Sequence, residues 1–152
     1  TVEGDTVDTE TISQAVADNA RYNLFSLVDK ALMGNARDSL KMLHGLRAEG
    51  TEATVVLWAL SREIRSLYQC RDQLDQGQPP NSVFQTNRIW DNRKTLVGNA
   101  LKRLDLKTLS GLLSLATLTD HCIKGMIREE PWQKLSDLTL GLSGIQLGIN
   151  DS

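Results

Sequence analysis

Apolar residues along this chain recur at steps of three and four, and no stretch alternates with a period of two long enough to make a strand, so the pattern predicts an all-α protein. Thr9 or Asp8 can cap a first segment carrying Ile12, Ala15, Val16 and Ala20 on one face. Leu24, Phe25, Leu27, Val28, Ala31 and Leu32 predict a second, short helix that stops at Gly34. A third contains Ala36, Leu40, Leu43 and Leu46 and closes at Gly50, where a left-handed cap is expected, so that the second and third form a helical hairpin. The fourth, from about Glu52 to Leu74, is apolar nearly all round between Val55 and Leu60, the mark of a helix at the centre of a bundle.

Gly77, Pro79 and Pro80 interrupt the chain between Asp75 and Ser82. Beyond them the pattern predicts a short apolar segment at Val83 and Phe84, a helix from about Arg88 to Leu104, and another from Leu106 to Ile127. The last helix opens with Pro131 in its first turn and aligns Trp132, Leu135, Leu138 and Leu142. The Gly-rich tail, residues 146–152, is weakly patterned and expected to fray.

Composition adds little to this but excludes much. A chain of 152 residues, 40% hydrophobic and 24% charged, can bury a core without metal or disulfide. Cys70 and Cys122 have no CxxC spacing and read as reduced thiols, which makes the cytoplasm the default location. No apolar run reaches the roughly 20 residues that cross a bilayer, so no membrane role is expected. The net charge of -2 conceals an asymmetry: residues 1–20 carry five acids and no base, whereas residues 84–107 carry six bases and two acids. This argues against a general nucleic-acid coat and permits a local basic patch.

Catalytic candidates are sparse. His44 and His121 fall on separate helices, and His121 and Cys122 point about 100° apart, which is no ligand pair. No phosphate-cradling glycine motif occurs, and Arg62, Glu63 and Arg65 read as a solvated face. Trp58 and Trp132, each flanked by leucines at helical spacing, are expected in the core. The one constellation above this background is Arg88, Trp90, Arg93 and Lys94, continued by Lys102 and Arg103. Such bases can meet phosphates while an indole stacks on an unpaired base, an interaction worth about 1–3 kcal/mol. The plainer reading makes Trp90 a half-buried packing residue and the bases a solvated helix face.

The pattern Phe25-x-Leu27-Val28-Asp29-x-x-Leu32-x-Gly34, then Leu46-Arg47-x-Glu49-Gly50, the run Leu57 to Ile64, and the later Asn87-Arg88-Ile89-Trp90-Asp91-Asn92-Arg93-Lys94 resemble the delta subunit of the bacterial DNA polymerase III clamp loader. The resemblance implies a C-terminal fragment of a subunit similar to AAA+ proteins. Residues 1–20 would be the end of a helical lid and residues 21–145 a helical collar. It further implies a noncatalytic part of a DNA-directed DNA polymerase holoenzyme, with no cofactor of its own, in the cytoplasmic replisome at the nucleoid. Expected partners are the gamma/tau and delta-prime subunits through the collar, primed or single-stranded DNA in the assembled complex, and the sliding clamp only through an absent N-terminal domain. Trp90, Arg88, Arg93, Lys94, Lys102 and Arg103 become candidate DNA contacts. The leucines beyond each helix's own core face, Leu113, Leu115, Leu118, Leu138, Leu140 and Leu142, become candidate subunit contacts, or else internal core. The alternative is a free-standing helical module that binds single-stranded nucleic acid through the Trp90 segment.

Overall fold

In the computed structural model the backbone is described for residues 2–145 and side chains for residues 9–145. Among these residues there are seven helices and no strand: α1 Val2–Leu32, α2 Ala36–Ala48, α3 Ala53–Asp75, α4 Pro80–Thr86, α5 Asp91–Arg103, α6 Leu106–Ile123 and α7 Pro131–Leu142. No helix of the described residues is long and apolar enough to cross a membrane. The tail expected to fray lies outside the described residues.

The two helices expected before Gly34 are one. Nothing between Ala20 and Leu24 breaks a helix, and the backbone runs through Thr9 rather than starting there. What changes along α1 is burial: residues 9–19 are exposed, and continuous packing begins near Leu27, with Leu27, Ala31 and Leu32 wholly enclosed. The helix α6 is shorter than expected, turning at Gly125, and α5 begins three residues later than the pattern predicts.

Local chemistry sets the other boundaries. Asn35 caps α2, its Oδ1 accepting from the Asp38 amide at 3.1 Å, and Asp105 caps α6 by accepting from Thr108 N at 2.8 Å. The Thr108 hydroxyl, and after it that amide bond, hold the Asp105 carboxyl below its ordinary range. Pro80 and Pro131 open α4 and α7, where a missing amide proton is harmless.

As its all-round apolar stretch predicts, α3 is central and packs against α1, α4, α5, α6 and α7. Its Val56, Leu57, Leu60, Ile64 and Leu67 are buried with Leu43 and Leu46 of α2, Leu109 and Leu112 of α6, and Leu135, Leu138 and Leu142 of α7. Close approach of α6 and α7 depends on Gly141, where a Cβ would collide with Leu112.

Six of these helices end in the same way. In each, the second residue past the helix has positive φ and its amide bonds back three residues, while the next amide bonds back five, as Gly34 N to Ala31 O and Asn35 N to Lys30 O do after α1. Glycine occupies the left-handed position after α1, α2, α3, α6 and α7. After α4 it is Arg88, at φ 57°, with Arg88 N bonded to Gln85 O at 3.2 Å and Ile89 N to Phe84 O at 2.8 Å.

Candidate nucleic-acid interface

The basic segment singled out by sequence does not form one face of one helix. Arg88 belongs to the turn after α4, Trp90 is the residue that precedes α5, and only Arg93, Lys94, Lys102 and Arg103 are helical. Each of the six candidates is placed differently.

Trp90 is 67% exposed, so the plainer reading of it as a half-buried packing residue does not hold. Its carbonyl accepts from Arg93 N at 2.9 Å, which fixes the backbone beneath the indole. The turn carrying Arg88 is pinned to α3: Asn87 Nδ2 donates to Gln73 Oε1 at 2.7 Å and to Val83 O at 2.8 Å. Arg88 and Lys102 are exposed. Lys94 reaches Asp91 at 2.8 Å, and this hydrogen bond and charge hold the Asp91 carboxyl below its usual range.

Two of the six are bonded across to other helices. Arg93 on α5 bonds Asp29 of α1 at 2.9 Å and reaches Glu63 of α3 at 3.4 Å, clasping three helices. Burial pushes the Glu63 carboxyl above its ordinary pKa; the Arg93 charge opposes that shift, Asp29 adds to it, and Arg62 weakly opposes it. Arg103 directs Nη2 at Leu32 O (2.9 Å), Ala31 O (3.3 Å) and Leu142 O (3.4 Å). One guanidinium thus satisfies carbonyls at the C-terminal ends of α1 and α7, where the helix dipoles favour a cation. The fit also requires Gly144, since a Cβ there would lie 2.9 Å from the Arg103 side chain. Partial burial lowers the Arg103 pKa, which leaves it charged. Half-buried Arg93 and exposed Arg103 are thus both engaged as structural ties.

The leucine candidates divide as well. Leu138 and Leu142 are wholly buried and cannot face a partner: they are internal core. Leu113 and Leu115 are partly buried against that core, and Leu118 and Leu140 are half-buried. Sequence reasoning missed Tyr22 and Phe25, which are 70% and 68% exposed on α1.

It also misplaced Trp58. Expected in the core, this residue is 67% exposed, while Trp132 does pack against the core, with Arg47 over its ring at 5.5 Å. A signal for Trp58 was present in the spacing. Counting 100° per residue, Trp58, Arg62, Arg65 and Gln69 fall within about 60° of one another, opposite Leu60 and Leu67. Trp58 keeps company with the polar face.

Arg62, Arg65, Ser66 and Gln69 of α3 face Thr86, Asn87 and Arg88 across a groove of about 350 Å3. No carboxylate lines it. Cys70, nearby in sequence but buried, is no nucleophile: desolvation, and secondarily the Glu63 charge, push its thiol up to about 11.

The family described as "Processivity clamp loader gamma complex DNA pol III C-term" matches residues 24–148, which covers nearly the whole described bundle. The chain belongs to this clamp-loader delta C-terminal family. It is 34% identical over 129 residues to DNA polymerase III subunit delta of Escherichia coli K12, covering 85% of this chain and 37% of that protein. It is 27% identical over 137 residues to the same subunit of Haemophilus influenzae Rd, covering 85% and 40%. The chain thus spans well under half the length of the curated relatives it matches. The Bacillus subtilis DNA clamp loader delta protein shares the fold, with a TM-score of 0.62 at 17% identity over 82% of this chain and 36% of that one.

Proposed function

We propose that this chain is the collar portion of a delta-type clamp-loader subunit. It joins gamma/tau and delta-prime partners by helical packing and takes no catalytic part in loading a sliding clamp onto primed DNA. Residues 1–20 belong on this reading to the end of an AAA+ lid, and residues 21–145 form the collar. Apolar surface left outside the core supports an assembly role. Tyr22 and Phe25 on α1, with Leu113, Leu115, Leu118 and Leu140, are among the side chains available to partners once Leu138 and Leu142 are assigned to the interior.

The single observation that carries a DNA role is Trp90: an indole two-thirds exposed, set on a pinned turn between Arg88 and Lys94. An exposed indole fixed in this way presents a stacking face to an unpaired base at little entropic cost. Trp90, Arg88 and Lys94, with Lys102 further along α5, meet the single-stranded template or the primer junction. Replacing Trp90 with Ala should weaken binding of primed DNA by the assembled loader about fivefold or more, with subunit assembly unchanged by gel filtration. Equal loss of assembly would make Trp90 a packing residue and end this reading.

A further inference from the structure

The groove between α3 and the α4–α5 turn collects three guanidiniums, from Arg62, Arg65 and Arg88, around Ser66, Gln69, Thr86 and Asn87. Among the described residues none of the three forms an ion pair or a side-chain hydrogen bond. The neighbouring arginines differ: Arg71 bonds Asp75 and Leu101 O, Arg93 bonds Asp29 and Glu63, and Arg103 bonds helix-end carbonyls. Three like charges in a groove that no carboxylate lines repel one another, with Glu63 beside Arg62 offsetting this only in part, and an anion in the groove removes that repulsion. Arg88 supplies a second, independent pointer. It occupies the one left-handed helix end of six that lacks glycine, so a strained backbone holds a guanidinium at the rim.

Two exposed indoles lie close in the chain to the residues that line the groove. Trp58 lies one turn before Arg62 on the same face of α3, about 16 Å along the axis from Gln69. Trp90 stands two residues from Arg88, no more than about 7 Å away between Cα atoms. Cationic groups in an open groove with exposed aromatics beyond either end of the set match a chain of phosphates with unpaired bases. A duplex offers no free base faces, and a lone phosphate would leave the indoles idle.

We infer that this groove holds consecutive phosphates of single-stranded DNA, continuing on α3 the path that begins at Trp90. The inference rests on the reading of Trp90 given above. Arg62 and Arg65 bind the backbone on α3, Arg88 bridges to the nucleotide stacked at Trp90, and Trp58 takes a base beyond.

The test uses the clamp loader assembled with the full-length subunit and a fluorescent oligothymidylate, with affinity measured across a salt series. In Arg62→Gln/Arg65→Gln, loss of two single-strand phosphate contacts should flatten the slope of log K against log salt by about 1.4 and lower affinity at least tenfold at low salt. Arg62→Lys/Arg65→Lys keeps the charges and should restore the slope. Trp90→Ala should reduce affinity without changing the slope. An unchanged slope in the Gln variant beside weakened binding in Trp90→Ala overturns the groove and leaves the Trp90 reading standing; no effect of Trp90→Ala sinks that reading first. Equal weakening for a blunt hairpin duplex would mean that the groove does not select single strands. Loss of subunit assembly in the Gln variant, with its thermal midpoint kept, would make the groove a seat for an acidic protein surface instead. Both results overturn the proposal.

Discussion

Replacing Arg88 with Gly separates the fold's interest from the groove's. At φ 57° an L-residue suffers Cβ crowding worth about 1–2 kcal/mol, which glycine escapes. Glycine in turn has more unfolded-state freedom to lose, about 0.5–1 kcal/mol. The difference leaves Arg88→Gly more stable by about 0.5–1 kcal/mol, a rise of about 2 °C in melting midpoint for a domain of this size. Arg88→Ala keeps the strain and loses only an exposed, unpaired side chain, so its midpoint should stay within about 1 °C of the parent. Thermal unfolding followed by circular dichroism at 222 nm ranks the three, and the oligothymidylate titration run beside it should show both variants binding more weakly. A Gly variant no more stable than Ala would mean that the turn carries no strain. An Ala variant clearly less stable than the parent would mean that Arg88 is holding the fold rather than a ligand.

Two further outcomes probe the packing. Removing the Arg93 charge in Arg93→Gln leaves the buried Glu63 facing Asp29 with only the weaker attraction of Arg62, so the Glu63 carboxyl rises further above its ordinary 4.5. The folded state then holds that proton more tightly than the unfolded chain. The variant should therefore regain stability as pH falls from 7 toward 5, by urea unfolding at each pH; a variant whose deficit is flat over that range would show that Glu63 is not strained by its burial. Gly141→Ala drives a methyl into Leu112, which is itself buried, and should cost about 1–3 kcal/mol in the same assay. A neutral result would mean that α6 and α7 have room to part.

Where strong local punctuation coincided with the burial pattern, helix boundaries were legible in the sequence. Gly50, Gly77 and Pro131 stand where α2 and α3 end and α7 begins, because their backbone requirements act over one or two residues. The apolar positions ending at Ala20 and resuming at Leu24 read as two helices, yet a helix needs only satisfied hydrogen bonds to continue, and α1 does. The candidate site was half legible. Trp90 and Arg88 follow from the spacing of bases around an indole, but which arginine faces outward is decided by partners 30 or more residues away, such as Glu63 for Arg93 and Leu32 for Arg103. Such pairings leave no periodic trace. The groove was missed because half of it lies on α3, where Glu63 between Arg62 and Arg65 makes the run look like an ordinary solvated face.

The Arg103 tie also bears on the order in which the chain can consolidate. Its guanidinium bonds a carbonyl 71 residues earlier and another 39 residues later. At about 5–20 residues per second, Arg103 leaves the ribosome's peptidyl-transferase centre roughly 2–8 seconds before Leu142 is even made. Both partners of the α1 tie are thus synthesised before α7 exists, whereas the α7 end can close only last. Until then Arg103 is a half-made clasp, and the buried surfaces of α2, α3 and α6 that α7 will cover remain open to solvent or to a chaperone.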